Sequence, residues 1–68
     1  MVDTKEINRL IDESGLKREY IAQKIGISRQ ALYLKIQGYN DFTVREAAVL
    51  CEILGIKKMS EKDRLFFA

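Results

Sequence analysis

Apolar residues along this chain recur at the three- and four-residue spacing of amphipathic helices. Four glycines, at positions 15, 26, 38 and 55, each fall where one apolar period ends. The sequence contains no alternating strand pattern of useful length, no proline, no internal repeat and no low-complexity segment. The pattern therefore predicts a single all-α domain over residues 1–68, with five short helices joined by tight turns.

Two segments begin with the spacing of a capping box, in which an N-cap residue is followed three residues later by Glu. The two pairs are Asp3 with Glu6 and Thr43 with Glu46. Each pair is flanked by two apolar residues that are spaced for a hydrophobic staple, namely Val2 with Ile7 and Phe42 with Ala47. These signals predict helices from Thr4 to Ser14 and from Val44 to Leu54.

The middle of the chain predicts two helices separated by a turn at Gly26, which we expect to adopt a positive φ. The first of them runs from Arg18 to Ile25, and Lys17 is a poor residue for its N-cap position. That start either frays or offers its backbone amides to an anion such as a DNA phosphate. Ser28 is a suitable N-cap for the second helix. The side chains expected to bury the pair are Ile21, Ala22, Ile25, Ile27, Leu32 and Ile36.

The C-terminal third carries more apolar residues than one small core requires. The apolar face of the fourth helix is wide, so this helix is either nearly central or in contact with another subunit. Ser60 is the predicted N-cap of a short fifth helix. One residue of the Leu-Phe-Phe ending can close the core, and we expect the others to be buried across a two-fold axis, with residues 57–68 in dimer contact. The expected dimer-interface residues are Val49, Ile53, Leu65, Phe66 and Phe67.

Charge separates the middle of the chain from its flanks. The formal net charge is +2 overall, whereas residues 1–14 carry −2, residues 15–40 carry +4 and residues 41–68 sum to zero. The positive excess thus lies in the two middle helices, where a polyanion would bind. A solvated basic helix face is the plainer explanation, and charge alone does not decide between the two.

Composition excludes several classes of function. The chain has no His and one Cys, so neither an internal disulfide nor a zinc site of Cys and His ligands is expected. Few catalytic groups are available, and we expect no enzymatic activity, cofactor or small-molecule ligand. Cys51 is expected to be a small buried residue. No apolar run approaches the ~20 residues of a membrane span, and the N-terminus lacks the apolar core of a signal peptide, so we expect a cytoplasmic protein without a membrane partner.

Residues 21–32 resemble the helix-turn-helix of lambda-type phage repressors and Cro proteins. They read Ile-Ala-Gln-Lys-Ile-Gly-Ile-Ser-Arg-Gln-Ala-Leu, with Ala22, Gly26, Ser28 and Leu32 at the family's spacing. The likeness extends over about residues 3–56, and the Leu-Phe-Phe tail is similar to that of small Gram-positive phage and mobile-element regulators. Lys17 departs from the usual Ser or Thr, and Lys35 stands where many members have an apolar residue.

The resemblance implies a five-helix lambda-repressor-like domain that binds double-stranded DNA. Positions that usually face base edges in the family are occupied by Ser28, Arg29, Gln30, Tyr33 and Leu34. Positions that usually grip phosphates are occupied by Lys17, Arg18, Gln23, Lys35, Tyr39 and Asn40. Leu34 is either a stray surface residue or a contact for a thymine methyl. Tyr33 and Tyr39 have an alternative role as packing residues with a hydrated hydroxyl.

The expected function is that of a transcriptional regulator that binds a near-palindromic operator as a homodimer, with repression favoured over activation. Two alternatives remain open on the sequence. One is a protein-binding helical module, such as an anti-repressor or an antitoxin subunit, for which the apolar fourth helix and tail would be the functional surface. The other is an excisionase-like protein that binds DNA and bends it.

Overall fold

The computed structural model describes residues 3–66, and these form five α-helices without a β-strand. The helices are α1 (Thr4–Ser14), α2 (Arg18–Ile25), α3 (Arg29–Ile36), α4 (Val44–Leu54) and α5 (Met59–Phe66). The all-α class is confirmed, as are the bounds predicted for α1, α2 and α4 and the start of α3 after Ser28. None of the helices in this range combines the length and the apolar character needed to cross a membrane.

A single apolar core holds the five helices together. Helix α2 packs against both α3 and α4, while α5 covers α1 and α4. The residues predicted to bury α2 and α3 are buried, except that Ile27 is half-buried at the edge of the core. The core side chains are Ile7, Ile11, Ile21, Ala22, Ile25, Leu32, Ile36, Phe42, Ala47, Leu50, Cys51, Ile56, Leu65 and Phe66.

The two predicted capping boxes differ in outcome. At α4 both halves are present, because Thr43 Oγ1 accepts the amide of Glu46 and the Glu46 carboxylate accepts the amide of Thr43. At α1 the Asp3 carboxylate accepts the amide of Glu6 at 3.2 Å, but the reciprocal bond is replaced. The amide of Asp3 instead donates to the carbonyl of Leu65 at 2.8 Å, which ties the start of α1 to the end of α5. The Val2 half of the predicted staple lies outside the described residues.

Helix α5 corrects two expectations. It begins at Met59, so Ser60 lies inside its first turn, and the prediction that Ser60 is its N-cap is wrong. Leu65 and Phe66 are both buried within their own chain, at 1% and 4% exposure, because α5 covers the faces that α1 and α4 leave open. Phe66 also meets Phe42 edge to face, with ring centroids 5.2 Å apart.

The interface residues expected at the C-terminus therefore need revision. The expectation that only one of the large tail residues would fit the core is wrong, and Leu65 and Phe66 are corrected from dimer contacts to core residues. Val49 and Ile53 are half-buried and pack against the same core. Phe67 lies outside the described residues.

Candidate nucleic-acid interface

The start of α2 has no side-chain cap. Lys17 makes no capping hydrogen bond, as the sequence predicted, and the first helical bond is donated by Ile21 to the carbonyl of Lys17 at 3.1 Å. The amides of residues 18–20 precede that bond, so no carbonyl of the helix itself can accept them. They share this end of the helix with the positive end of its dipole, which favours an anion.

The turn between α2 and α3 is held from two sides. Gly26 adopts φ 92°, and the amides of Gly26 and Ile27 both donate to the carbonyl of Ala22. From α4, the Arg45 guanidinium donates to the carbonyl of Ile25 at 2.7 Å. Sequence analysis missed Arg45, because a single basic residue twenty positions further along gives no local signal of this contact.

Helix α3 presents polar side chains on the surface opposite its core contacts. Ser28 caps the helix by accepting the amide of Ala31 at 3.0 Å. Arg29, Gln30 and Tyr33 are exposed and line one shallow hollow together. Leu34 is half-buried and lies outside the group of half-buried apolar residues that pack on the core, which agrees with its predicted position on the outer side.

A second hollow continues from the first towards the start of α2. It shares Arg29 with the first, and its other lining residues are Leu16, Lys17, Arg18 and Glu19. Arg29 Nη1 lies 3.7 Å from the Glu19 carboxylate, but both side chains are more than 70% exposed, so the pair holds Arg29 only weakly. The structure thus brings Lys17, Arg29, Gln30 and Tyr33 onto one concave surface, made of two neighbouring hollows that share Arg29.

Arg18 lines this surface but is partly committed to α1. Its Nη2 atom donates to the Asn8 side chain and to the Asp12 carboxylate, each at 3.1 Å. Two acceptors on α1 therefore fix the direction of this guanidinium, which bridges α1 and the first turn of α2. The charge of Asp12 offsets part of the positive charge that Arg18 brings to the hollow.

Lys35 is the expected phosphate contact that the structure contradicts. Its side chain is only 15% exposed, and its ammonium forms an ion pair with Glu46 of α4. Hydrogen bonds from Lys35 and Thr43 hold the pKa of the Glu46 carboxyl below its usual value, despite the opposing effect of burial. Lys35 therefore joins the end of α3 to the start of α4 and is not available as a free cation for DNA.

The remaining predicted phosphate contacts are exposed but separate from the two hollows. Gln23 lies on α2, whereas Tyr39 and Asn40 lie in the loop after α3, and Tyr39 is 75% exposed. Lys24, which sequence analysis did not single out, places its ammonium 5.5 Å from the centre of the Tyr20 ring. Exposed basic and aromatic side chains thus extend along α2 beyond the hollows.

Cys51 lies in the core, as predicted, and is 1% exposed. Burial raises the pKa of its thiol, although the charge of Lys62 opposes that effect. Within residues 3–66, no three His, Cys, Asp or Glu side chains are grouped so as to hold a metal ion.

Chemically, the concave surface offers hydrogen-bond donors, cationic groups and helix-terminal amides. Such a set suits the oxygens of a polyanion and the polar edges of bases. Comparisons with models of protein families, with curated proteins and with solved structures found no match to this chain.

Proposed function

We propose that this chain is a sequence-specific DNA-binding transcriptional regulator, in which α2 and α3 act as a helix-turn-helix of the lambda-repressor type. Helix α3 would lie in the major groove, while the start of α2 would rest on the sugar-phosphate backbone. The observation that carries the proposal is the joint exposure of Arg29, Gln30 and Tyr33 beside the basic, uncapped start of α2.

Base reading falls to the exposed residues of α3. Arg29 can pair through two hydrogen bonds with the O6 and N7 atoms of guanine, and Gln30 can pair in the same way with the N6 and N7 atoms of adenine. Tyr33 and Ser28 flank these two side chains, and Leu34 would meet a thymine methyl. These contacts give sequence preference, because they depend on the pattern of donors and acceptors at the base edges.

Backbone binding falls to α2 and the loop after α3. Lys17 and the first amides of α2 suit one phosphate, and Gln23, Tyr39 and Asn40 extend the contact to either side. Lys35 has no part in this set, since Glu46 already neutralises it. Arg45 and Glu46 act indirectly, because they hold the ends of α2 and α3 in place on α4.

Two copies on one operator would give the affinity that a small single module lacks. A homodimer places its two α3 helices one turn of DNA apart, about 34 Å, so its preferred site is a near-palindrome. Binding at such a site overlapping a promoter would block polymerase, and repression is the regulatory outcome we favour.

Selection of bound sequences from random duplex DNA tests the proposal. We expect enrichment of a short, near-palindromic consensus, and the Arg29→Ala, Gln30→Ala double variant should lose the preference at specific base pairs. Absence of enrichment at low salt would overturn the proposal and favour a protein-binding module. Strong bending of the selected site in gel-shift assays would favour the excisionase-like alternative.

A further inference from the structure

An apolar hollow lies between α4 and α5, separate from the candidate DNA interface. The apolar part of its lining is formed by Val44, Ala47, Ala48, Cys51, Met59 and Phe66. Val44 and Met59 are 76% and 69% exposed, whereas the other large apolar side chains exposed in residues 3–66 are tyrosines. The two exposed large apolar side chains of that range that are not tyrosines therefore border the same hollow.

This hollow continues into a second one along the same two helices. The two share Ala48 and Lys62, and the second extends past Glu52 and Ile56 to Lys57. Single exposed apolar residues are common on protein surfaces, but a contiguous patch with a polar edge is typical of an interaction site. The α4–α5 surface, defined by these two hollows, has that arrangement.

The charges on this surface indicate what binds there. Lys62 and Asp63 are neighbours on α5, and both border the apolar hollow. Neither has an ion-pair partner within 4.0 Å among residues 3–66. In a two-fold interface the same patch appears on both sides, so Lys62 of each copy can face Asp63 of the other. An adjacent pair of opposite charges is complementary to itself in this way.

We propose that the α4–α5 surface binds a second copy of this chain. Met59 of each copy packs against the apolar hollow of the other, because its flexible thioether side chain adapts to irregular apolar gaps. Lys62 and Asp63 form two symmetric ion pairs at the edge. The inference deepens the proposed function, since it names the surface through which two DNA-binding units pair, and it replaces Leu65 and Phe66 in that role.

The position of the surface is compatible with simultaneous DNA binding. Helix α5 packs on α1 and α4, whereas the proposed reading side chains lie on α2 and α3. Two copies joined through α4 and α5 therefore keep Arg29 and Gln30 free. The contact adds apolar burial to a short chain, and short chains bury a smaller fraction of their surface on folding than larger domains do.

Charge exchange provides the test, measured on the full chain without DNA by sedimentation velocity. Lys62→Asp places two acidic residues at each edge, and Asp63→Lys places two basic ones, so each variant alone should weaken self-association by about tenfold or more. An equimolar mixture of the two variants should restore association, because unlike copies then complement each other. Lys24→Asp, a charge reversal on α2, is the matched control and should associate like the parent chain.

Several outcomes would overturn the inference. These are a parent chain that stays monomeric at high micromolar concentration, single variants that associate normally, and a mixture that associates no better than its components. Circular dichroism verifies that each variant folds, and Met59→Asp gives a second variant that should also weaken association about tenfold.

DNA binding is scored separately on a half-site duplex, which needs one copy only. A chain that pairs as described but selects no DNA sequence would overturn the proposed function and leave the α4–α5 inference standing. A chain that binds a half-site selectively but whose mixed variants fail to pair would overturn the α4–α5 inference and leave the proposed function standing.

Discussion

The ammonium of Lys35 lies 2.5 Å from Oε1 of Glu46, and the same carboxylate oxygen accepts the backbone amide of Thr43. The Glu46 side chain thereby caps α4 and neutralises the charge of Lys35 in the last turn of α3. Both partners are largely buried, with side chains 15% and 9% exposed, so water screens the pair little. The last turn of α3 is therefore held against the first turn of α4 by this pair.

Replacement of Glu46 by Ala should destabilise the fold strongly. The change removes half of the capping box and leaves a largely buried ammonium without its partner, so we expect a loss of about 2–3 kcal/mol. Urea unfolding measures it. Glu52→Ala, an exposed change on the same helix, should stay within about 0.5 kcal/mol. Equal losses in the two variants would show that the pair has no special role.

Acid should remove the contribution of Glu46. Because its pKa in the folded chain is below the usual 4.5, the stability that the ionised carboxylate confers is complete above that value and declines as the pH falls through the lower folded pKa. Glu46→Gln should therefore show a flatter dependence of unfolding free energy on pH below about 5. Glu6→Gln is the comparison, since a pair with Arg9 also lowers the pKa of Glu6, but there the side chains of Arg9 and Glu6 are 52% and 25% exposed. Parallel pH profiles for the parent chain and Glu46→Gln would contradict this assignment.

Loss of the Arg45 guanidinium should loosen the turn before α3. Arg45→Ala leaves the Ile25 carbonyl without its charged donor, and we expect about 1 kcal/mol of destabilisation. Hydrogen exchange should accelerate at the amides of Gly26 and Ile27, which lie in that turn. Arg64→Ala, which removes only long, exposed ion pairs, should leave both amides unchanged. The same acceleration in both variants would indicate general loosening.

Substitutions on the DNA side should separate base reading from phosphate binding. Arg29→Ala and Gln30→Ala should each lose about 1–3 kcal/mol of binding and relax the preference at one base pair. Lys17→Ala should weaken binding to all DNA sequences alike. It should also reduce the slope of the logarithm of the binding constant against the logarithm of salt concentration by about one unit. Lys57→Ala, on the α4–α5 surface, should change neither measurement on a half-site. Titration by fluorescence anisotropy at several salt concentrations tests all four, and an unchanged site preference without Arg29 and Gln30 would remove α3 as the reader.

Two glycines with similar backbone angles allow a controlled test of close packing. Gly15 and Gly38 have φ of 74° and 89°, but only at Gly38 would an added Cβ meet another residue, Thr4 Cγ2 at 3.3 Å. Gly15→Ala should lower the free energy of unfolding by about 1–2 kcal/mol through backbone strain alone. Gly38→Ala should lower it further, because of the contact with Thr4. Addition of Thr4→Ser, which deletes that methyl group, should bring the loss at Gly38 down to that at Gly15. Equal losses of stability in the two single variants would show that α1 can shift to accommodate the added Cβ at Gly38 without destabilising the fold.

Local sequence signals were sufficient for most of the architecture. Caps and glycines act on their immediate neighbours, so Thr43 and Gly55 alone define both ends of α4. The start of α5 was misplaced because Ser60 has the side chain of a cap, yet the helix already begins at Met59. No competing signal near Ser60 marks that earlier start.

The errors at the candidate site come from contacts between distant residues. Lys35 lies at the border of its helix by periodicity, and the sequence does not reveal that Glu46 faces it. Arg45 was overlooked because its acceptor is a backbone carbonyl, which any residue could supply. Leu65 and Phe66 were assigned to a partner because core capacity depends on how α5 crosses α1 and α4, and that crossing has no local signature.

The hydrogen bond from the Asp3 amide to the Leu65 carbonyl links residues near opposite ends of the sequence. Closing this loop directly from the unfolded chain would be entropically unfavourable, because it contains nearly every other residue. We expect such a contact to form late in folding, after the local helices and the α2–α4 packing. We therefore expect a weaker contact to accelerate unfolding more than it slows folding, so that the junction of α1 and α5 would limit the lifetime of the native state.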